Sequence, residues 1–381
     1  MKYVIVRCED GAQGGRGMAT LLEGAKLSHL QQLAQAGAAG GIAAASSGSV
    51  GAESLHLHRA LFGLSPSDPE AAPGRCYAAS LNVPLAEEET VWCAELVTQH
   101  EGRVVDPAAG RIPTRESTLL LQALRDHLGS DTRRWIAGDH SHHVLVARDA
   151  SLASDGLWSI PCPEALRGQR WEQALPAGSV GEALRLLMAQ ASQVLEEHPV
   201  NRVRVDLGEN PANLLWLWGA AGGGRGRTFT ERTGRSGAVV SASFPMRGFA
   251  ATLGLEWRQG TASCEEQAIR RLMETLSALL TRCDFIYVHV RVESADPVER
   301  LCAMERLDQG LLKPLTETLP GLGSWRLLVV LDDRPPLTAP FVAIGTGIAP
   351  QPIARLEARH LAESPLVFSD GVRLFTWFTA T

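Results

Sequence analysis

The sequence predicts an α/β fold in which a largely parallel sheet lies between helices, with an α+β segment inserted in the middle of the chain. Two observations lead to this prediction. In the first 74 residues and in the last third of the chain, short apolar runs alternate with stretches of helical periodicity, a pattern typical of strand–helix units in parallel sheets. Between these parts the alternation stops, and strand-like pieces surround a helix and an irregular stretch at residues 151–176.

The first predicted element is a buried strand at residues 3–6, which are apolar and include Val and Ile. Polar residues follow it directly, among them Glu9 and Asp10, and then comes Gly11. In open α/β sheets, ligands bind at the carboxyl ends of the strands. This stretch therefore predicts either a site that includes Asp10 or a strand that ends in a charged turn.

The other elements follow from periodicity and from Gly or Pro at element ends. Predicted helices lie at residues 21–36, 53–66, 115–128, 179–198, 263–280 and 297–318. Predicted strands lie at residues 77–83, 91–98, 144–147, 214–218, 237–241, 284–290, 327–331 and 342–344. Loops rich in small residues mark two boundaries, so we expect a core made of residues 1–74 and 227–381 and an inserted segment, residues 75–226.

The composition excludes several classes of protein. With 45% hydrophobic residues, 20% charged residues and a net charge of −6, the chain has an ordinary soluble, globular composition. No Lys/Arg-rich arm indicates a nucleic-acid binder, and no apolar run reaches the roughly 18 residues of a membrane-spanning helix. We expect no leader before the first strand, and the seven cysteines form no CxxC pair. We therefore expect reduced, mostly buried thiols in a cytoplasmic protein.

Six segments carry a resemblance to a known family. They are HPVNRVRVDLGENPANLLWLWG at residues 198–219, GRCYAASL at 74–81, CAELVT at 93–98, VVDPAAGRIPTRE at 104–116, DFIYVHV at 284–290 and AMERLD at 303–308. In these segments the chain resembles the metal-dependent, bisphosphoglycerate-independent phosphoglycerate mutases of the archaeal type. The resemblance covers nearly the whole chain and implies an alkaline-phosphatase-like core, although fold alone does not establish function.

The resemblance also implies a set of site residues. In this family a serine accepts the phosphoryl group, and two divalent metals neutralise its oxygens and activate the serine. Matched to the motifs, Ser54 is the nucleophile, and Asp10, Asp332 and Asp333 are metal ligands, with Asp333 in place of a histidine. Three carboxylates with a hydroxyl suit an ion such as Mg²⁺ or Mn²⁺.

Other ligand positions of the family are lost from this sequence. The interval between Val290 and Ala303 is shorter than in the family and contains no histidine, and residues 337–341 also lack the expected histidine. One of the two metal sites has thereby lost every side-chain ligand that can be placed. The sequence predicts at most one divalent metal, Mg²⁺ or Mn²⁺. The alternative that the protein binds no metal stays open.

The substrate region is altered as well. Arg202, Arg204 and His143 fall at family positions that contact the substrate carboxylate and phosphate, or lie beside them. Glu209 stands where the family has a lysine, and Arg111 stands in place of a histidine. A carboxylate in place of an ammonium group weakens an anion pocket, because like charges repel.

Several of these residues have ordinary structural alternatives. Ser54 is equally suited to cap the helix that begins near it, and Asp332 and Asp333 to cap a turn. The nearby histidines at 56 and 58 are expected to be partly buried or surface residues. The sequence GDHS at 138–141 spells the family's metal motif, but it lies in the inserted segment, and we interpret it as a chance match.

Three functions stay open at this point, and whether the chain is an enzyme is undecided. The lost motifs favour a degenerate phosphoglycerate-mutase-like protein kept as a binding or regulatory module. The second function is a phosphoglycerate mutase that interconverts 2- and 3-phosphoglycerate through a phosphoserine at an altered metal site. The third is a single-metal enzyme for another phosphorylated molecule. The expected partner is a small phosphorylated or anionic metabolite, or another protein.

Overall fold

The fold was analysed in a computed structural model of the chain. It describes residues 1–10, 22–42, 52–65, 68, 71–152, 160–224, 226–292, 294, 296–332, 339–357, 360–361 and 363–380. The side chains of Asp10, Ala150, Asp332 and residues 52–54 are also outside the described part.

Strands and helices alternate through most of the described chain. The strands are β1 (Lys2–Asp10), β2 (Ala38–Ile42), β3 (Thr90–His100), β4 (Arg103–Asp106), β5 (Arg133–Asp139), β6 (His142–Ala147), β7 (Leu214–Gly222), β8 (Gly237–Ser241), β9 (Glu256–Gln259), β10 (Phe285–Val292), β11 (Trp325–Asp332), β12 (Ala339–Gly345) and β13 (Val367–Phe368). The helices are α1 (Ser28–Ala36), α2 (Ala52–Ala60), α3 (Pro73–Ser80), α4 (Thr114–Leu128), α5 (Ser179–Glu197), α6 (Pro199–Asp206), α7 (Phe229–Thr233), α8 (Phe244–Thr252), α9 (Glu266–Leu280), α10 (Pro297–Leu307), α11 (Lys313–Thr318) and α12 (Gly371–Thr379).

The larger sheet has eight strands in the order β13-β2-β12-β11-β1-β10-β8-β9. Strand β1 lies in its interior and pairs in parallel with β10 on one side and β11 on the other. The pairs β10–β8 and β8–β9 are also parallel, whereas β12 is antiparallel to both of its neighbours. The predicted α/β class with a largely parallel sheet is confirmed.

Alternate residues of β1 contribute to two hydrophobic cores, one on each face of this sheet. Val4, Val6 and Cys8 pack on the face covered by α1, α9, α10 and α11. Tyr3 and Ile5 pack on the opposite face, against α2, α8 and α12. Because side chains alternate along a strand, Arg7 and Glu9 continue the row of Tyr3 and Ile5. This row leads from the second core to the carboxyl end of β1.

The smaller sheet has five strands, β3 to β7, and all of its pairs are antiparallel. Strand β3 lies between β6 and β7, and α4 and α5 supply buried leucines to the same core. Its strands come from residues 90–222, inside the predicted inserted segment. The boundaries of that segment stay a prediction, and α3 runs through the expected junction after residue 74.

The prediction of a strand at residues 77–83 is wrong, because α3 covers most of that stretch. Pro73 occupies the first turn of the helix, where its missing N–H costs nothing. Packing against α8 explains the outcome: a Cβ on Gly248 would lie 1.6 Å from the Cys76 carbonyl oxygen. The close approach requires glycine in α8, and Ser80 Oγ strengthens it by donating to the Phe244 carbonyl at 2.7 Å.

Two expectations from composition can be compared with the structure. All seven cysteines are free thiols, and five of them are buried. Within the described part of the chain, no helix has the length and apolar character needed to cross a lipid bilayer.

Asp308 caps α1 from a distant part of the chain. Its buried carboxylate accepts hydrogen bonds from the backbone N–H of His29 at 2.9 Å and of Leu30 at 2.7 Å. The residue before α1, Leu27, provides no side-chain cap. Asp308 therefore satisfies N–H groups that α1 cannot satisfy itself.

We predict that Asp308→Ala lowers the free energy of unfolding by about 2–3 kcal/mol, because hydrogen bonds to a buried charged group are lost. Urea unfolding followed by circular dichroism measures this change. The control Glu274→Ala, on the exposed surface of α9, should change stability by less than about 0.5 kcal/mol. Equal losses in the two variants would contradict the capping role.

Candidate functional site

The strand register brings four polar side chains together at the carboxyl end of β1. Arg7 is the register partner of His289, and Glu9 is the partner of Arg291 on β10. His58, on α2, approaches this row from the helix that covers the same face of the sheet. These residues define the candidate site.

Glu9, His58 and His289 form its centre, which we call the triad. One ligand atom from each residue lies within 4.8 Å of the other two, so the three side chains can bind a common metal ion. His289 Nε2 lies 3.0 Å from Glu9 Oε2. The rings of His58 and His289 meet nearly at right angles, with centroids 4.5 Å apart, and both histidines are buried.

Two hydroxyl groups fix the imidazole rings of the triad. His58 Nδ1 is hydrogen-bonded to the Tyr287 hydroxyl at 2.7 Å, and His289 Nδ1 to Ser241 Oγ at 3.0 Å. Ser241 Oγ is itself held by the backbone N–H of Ser243 at 3.1 Å. With both Nδ1 atoms engaged, Nε2 is the ring nitrogen that each histidine offers to a ligand.

Two arginines set the electrostatics of the site. Arg7 Nη2 lies 3.9 Å from Glu9 Oε2, and Arg291 Nε lies 3.5 Å from Glu9 Oε1. Burial alone would raise the pKa of Glu9, but the hydrogen bond from His289 and the charges of Arg7 and Arg291 hold it well below its usual range. Burial, reinforced by the charge of Arg7, lowers the pKa of His58 well below its usual range. Glu9 is therefore ionised and His58 neutral near pH 7, the protonation states that metal binding requires.

The residues predicted from the family motifs lie around this centre as far as the backbone is described. Asp10 ends β1, Asp332 ends the adjacent β11, and the register pairs Asp332 with Glu9. Ser54 lies in the first turn of α2, one turn before His58. The side chains of Asp10, Ser54 and Asp332, and the whole of Asp333, are outside the described residues. Their convergence on one metal stays a prediction.

Arg204, a predicted substrate residue, is buried and bound within the inserted segment. Its guanidinium forms ion pairs with Glu116 at 2.6 Å and Glu209 at 3.1 Å. It also donates to the backbone carbonyls of Ala109 at 3.0 Å and Asn210 at 2.9 Å. Every nitrogen of the guanidinium thus has a protein acceptor, so a substrate anion would have to compete with these contacts. Its role in substrate binding stays a prediction, as does that of Arg202, which is exposed on the same helix.

His143, the third predicted substrate residue, is fully buried in β6. Its Nδ1 accepts a hydrogen bond from the Gly138 backbone N–H at 3.0 Å, and burial lowers the pKa of His143 to about 3. The imidazole is therefore neutral near pH 7. The GDHS sequence at 138–141 lies at the turn between β5 and β6, where Asp139 and His140 are exposed.

The neighbouring His142 belongs to a second polar cluster, centred on the buried carboxylate of Glu95. Tyr77 Oη donates to Glu95 Oε1 at 2.7 Å, and Trp218 Nε1 donates to the same oxygen at 2.9 Å. His142 Nδ1 lies 3.4 Å from Glu95 Oε2, and its ring stacks on that of Phe244 in α8 with centroids 5.7 Å apart. The cluster thus connects the smaller sheet to a helix of the larger one.

Only weak signals in the sequence indicate the triad. Arg7 and Glu9 are alternate polar residues that follow the apolar run at residues 3–6, which indicates a polar row on one face. His289 lies inside the DFIYVHV match, where the sequence predicts a strand but no site residue. His58 is predicted to be an ordinary buried or surface histidine. Only the register and the position of α2 place these three residues together.

The cluster around Glu95 predicts a pH dependence of stability. Burial lowers the pKa of His142, but the charge and hydrogen bond of Glu95 outweigh burial and raise it. A histidine with a raised pKa in the folded state stabilises the fold fully below its unfolded pKa, about 6.5, and this contribution is lost as the pH rises through the folded value.

We therefore expect His142→Gln to destabilise the protein at pH 6 by about 1 kcal/mol more than at pH 8.5. Urea unfolding at the two pH values measures this difference. His100→Gln, an exposed histidine at the end of β3, is the matched control and should show equal stability changes at both pH values. A destabilisation by His142→Gln that grows towards high pH would contradict the ion pair.

Comparisons with known proteins agree with the motifs. A family model described as 2,3-bisphosphoglycerate-independent phosphoglycerate mutase matches residues 34–201. A 2,3-bisphosphoglycerate-independent phosphoglycerate mutase of Methanosarcina acetivorans is 29% identical over 283 residues, which cover 72% of this chain and 70% of the relative. A probable enzyme of the same name from Geobacter sulfurreducens is 28% identical, and the match covers 98% of both chains.

A solved structure is similar over the full length of the fold. The cofactor-independent phosphoglycerate mutase from Thermoplasma acidophilum superposes with a TM-score of 0.58 at 21% identity, covering 99% of both chains. At this identity the likeness concerns the fold, and it is consistent with the expected alkaline-phosphatase-like architecture. The resemblance inferred from the motifs is thus confirmed: the chain is similar to proteins named 2,3-bisphosphoglycerate-independent phosphoglycerate mutase, among them enzymes of methanogenic archaea.

Proposed function

We propose that this phosphoglycerate-mutase-like protein transfers a phosphoryl group between the hydroxyls of a phosphorylated glycerate, at a rearranged centre that holds one divalent metal. The observation that carries this proposal is the triad of Glu9, His58 and His289, whose two histidines are buried, at the carboxyl end of a parallel strand. This edge of the sheet is where ligands bind in open α/β folds. The names of the homologues support the choice of reaction.

The charges around the triad support an anionic substrate. Arg291 is half-exposed beside Glu9, so its guanidinium can contact both the protein and a ligand. Arg7 is buried and adds a second positive charge on the same side. A phosphoryl group carries negative charge throughout its transfer, and fixed cations stabilise that charge best in a site that excludes water.

Each residue has a proposed role. Glu9, His58 and His289 hold the ion, and Ser54, one helical turn before His58, accepts the phosphoryl group. A bound divalent ion would polarise the phosphoryl oxygens and lower the pKa of the serine hydroxyl. Asp10 and Asp332 end the strands next to the triad, and their binding to the same ion stays a prediction. The hydroxyls of Tyr287 and Ser241 orient the two imidazoles.

A binding module without turnover is the second candidate, and contacts in the inserted segment favour it. Arg204 is paired with Glu116 and Glu209, and the carboxylate of Glu95 is buried near Phe244. Acidic groups thus pair with Arg204 and lie beside His142, the neighbour of His143, and the family resemblance implies substrate contacts at or beside Arg204 and His143. The homologues favour the catalytic candidate, because all those compared carry the name of the enzyme.

An enolase-coupled assay tests the proposed function. Purified full-length chain, stripped with a chelator, is supplied in turn with Mn²⁺, Mg²⁺, Co²⁺ and Zn²⁺ and with 3-phosphoglycerate. We expect turnover that depends on the added ion, and we expect Ser54→Ala to reduce it to the background of the chelated protein, because the nucleophile is lost.

Ser277→Ala, an exposed serine on α9, is the matched control and should retain full activity. Both variants are prepared from a host that lacks its own mutase, so contaminating activity cannot mimic the result. An assay that stays flat with all four ions would exclude the mutase and favour the binding module.

A further inference from the structure

We propose that the triad of Glu9, His58 and His289 is a site selective for a transition-metal ion of the Zn²⁺ type over Mg²⁺. This ligand set differs from the oxygen-rich set that the family motifs predict, which favours Mg²⁺ or Mn²⁺. The inference rests on the proposed function for the location of the site, but it concerns the identity of the ion rather than the reaction.

The donor atoms of the triad suit Zn²⁺ better than Mg²⁺. Two imidazole nitrogens and one carboxylate oxygen can bind a common ion in the triad. Zn²⁺ in catalytic sites is commonly bound by three protein ligands of this kind, with the fourth position left for water or substrate. Mg²⁺ prefers oxygen ligands in an octahedral shell and keeps several waters. The described donors therefore match a borderline ion better than a hard one.

The geometry allows such an ion with small adjustments. With bonds of about 2.1 Å, the ligand atoms of a tetrahedral ion lie about 3.4 Å apart. His289 Nε2 and Glu9 Oε2 are 3.0 Å apart, and every ligand-atom pair of the triad lies within 4.8 Å. Binding would replace the proton between His289 and Glu9 and would draw His58 inward. The steep angle between the two rings, 83°, lets both Nε2 atoms approach one point from different directions.

Tyr287 and Ser241 act as positioning residues. Their hydroxyls engage Nδ1 of His58 at 2.7 Å and of His289 at 3.0 Å, and Tyr287 and Ser241 are fully buried. Hydrogen bonds to the second ring nitrogen of a histidine ligand fix its tautomer and orientation. Their loss commonly weakens metal affinity about 10–100-fold. A preformed pair of Nε2 donors suits an ion that forms strong bonds to nitrogen.

Charge adds a second reason for selectivity. Glu9 is the single carboxylate of the triad, and two guanidinium groups lie within 3.9 Å of its oxygens. An ion held chiefly by electrostatic attraction to oxygen, such as Mg²⁺, gains little from a carboxylate that is already neutralised. The guanidinium groups repel both dications equally, so the two imidazole nitrogens, which bind Zn²⁺ and Co²⁺ better than Mg²⁺, decide the selectivity.

Isothermal titration calorimetry on the chelator-stripped, full-length chain tests the inference. We expect one Zn²⁺ per chain, with affinity at least about 100-fold higher than for Mg²⁺. We expect His58→Gln and His289→Gln to lower the Zn²⁺ affinity at least about 10-fold, and Tyr287→Phe about 10-fold. His29→Gln, a histidine bonded to Thr316 on the other side of the fold, is the control and should bind like the wild type.

The visible spectrum of the Co²⁺-loaded protein provides a readout that is independent of activity. Nitrogen and oxygen ligands give d–d bands without the thiolate charge-transfer band that binding to cysteine would produce. Circular dichroism checks that each variant is folded. Tyr287→Phe removes only one oxygen atom, so it keeps the test valid if a histidine variant does not fold.

The outcomes separate this inference from the proposed function. Equal affinities for Zn²⁺ and Mg²⁺, a thiolate band, absence of binding, or triad variants that bind like the wild type would each overturn the inference. Tight Zn²⁺ binding with a flat mutase assay would support the inference and contradict the proposed function. Turnover with Mg²⁺, at equal affinity for Zn²⁺ and Mg²⁺, would support the proposed function and contradict the inference.

Discussion

The parallel pairing of β1 with β10 and β11 is the constraint on which the rest of the site depends. It places β1 inside the larger sheet, so alternate side chains from Tyr3 to Cys8 are buried in cores on both faces. The same register sets Arg7 beside His289 and Glu9 beside Arg291. Since parallel strands end at the same edge, polar residues at the end of β1 meet those at the end of β10 without any long-range loop.

Glu9 has two functions that oppose each other. It neutralises Arg7, whose side chain is fully buried and would be costly to leave without a counter-charge. It is also the one carboxylate of the triad, so a bound ion competes with the arginines for its oxygens. A bound phosphoryl group would relieve this competition, because it supplies the negative charge that the arginines and the ion both attract. In the proposed centre, metal binding and anion binding would therefore be coupled through a single carboxylate.

The fold was largely predictable, because most strands of the larger sheet contain an apolar run bounded by polar residues or glycine. Strand β9, with the sequence EWRQ, has no such run and was not predicted. The strand predicted at residues 77–83 failed because its small and aromatic residues suit either structure, and the contact at Gly248 selects a helix. Through Asp10 and Asp332, which end β1 and β11, the motifs point to the same edge of the sheet as the triad. They did not identify the triad, since Glu9, His58 and His289 are far apart in sequence and meet only through strand register and helix packing.

We propose that Glu9, His58 and His289 form the metal centre. The most direct measurement is an anomalous difference map from crystals of the full chain grown with Zn²⁺, recorded on both sides of the zinc absorption edge. The account predicts one peak within bonding distance of Glu9 and of the Nε2 atoms of both histidines. A peak bound by Asp10, Asp332 and Asp333 away from the histidines, or no peak at this edge of the sheet, would contradict it.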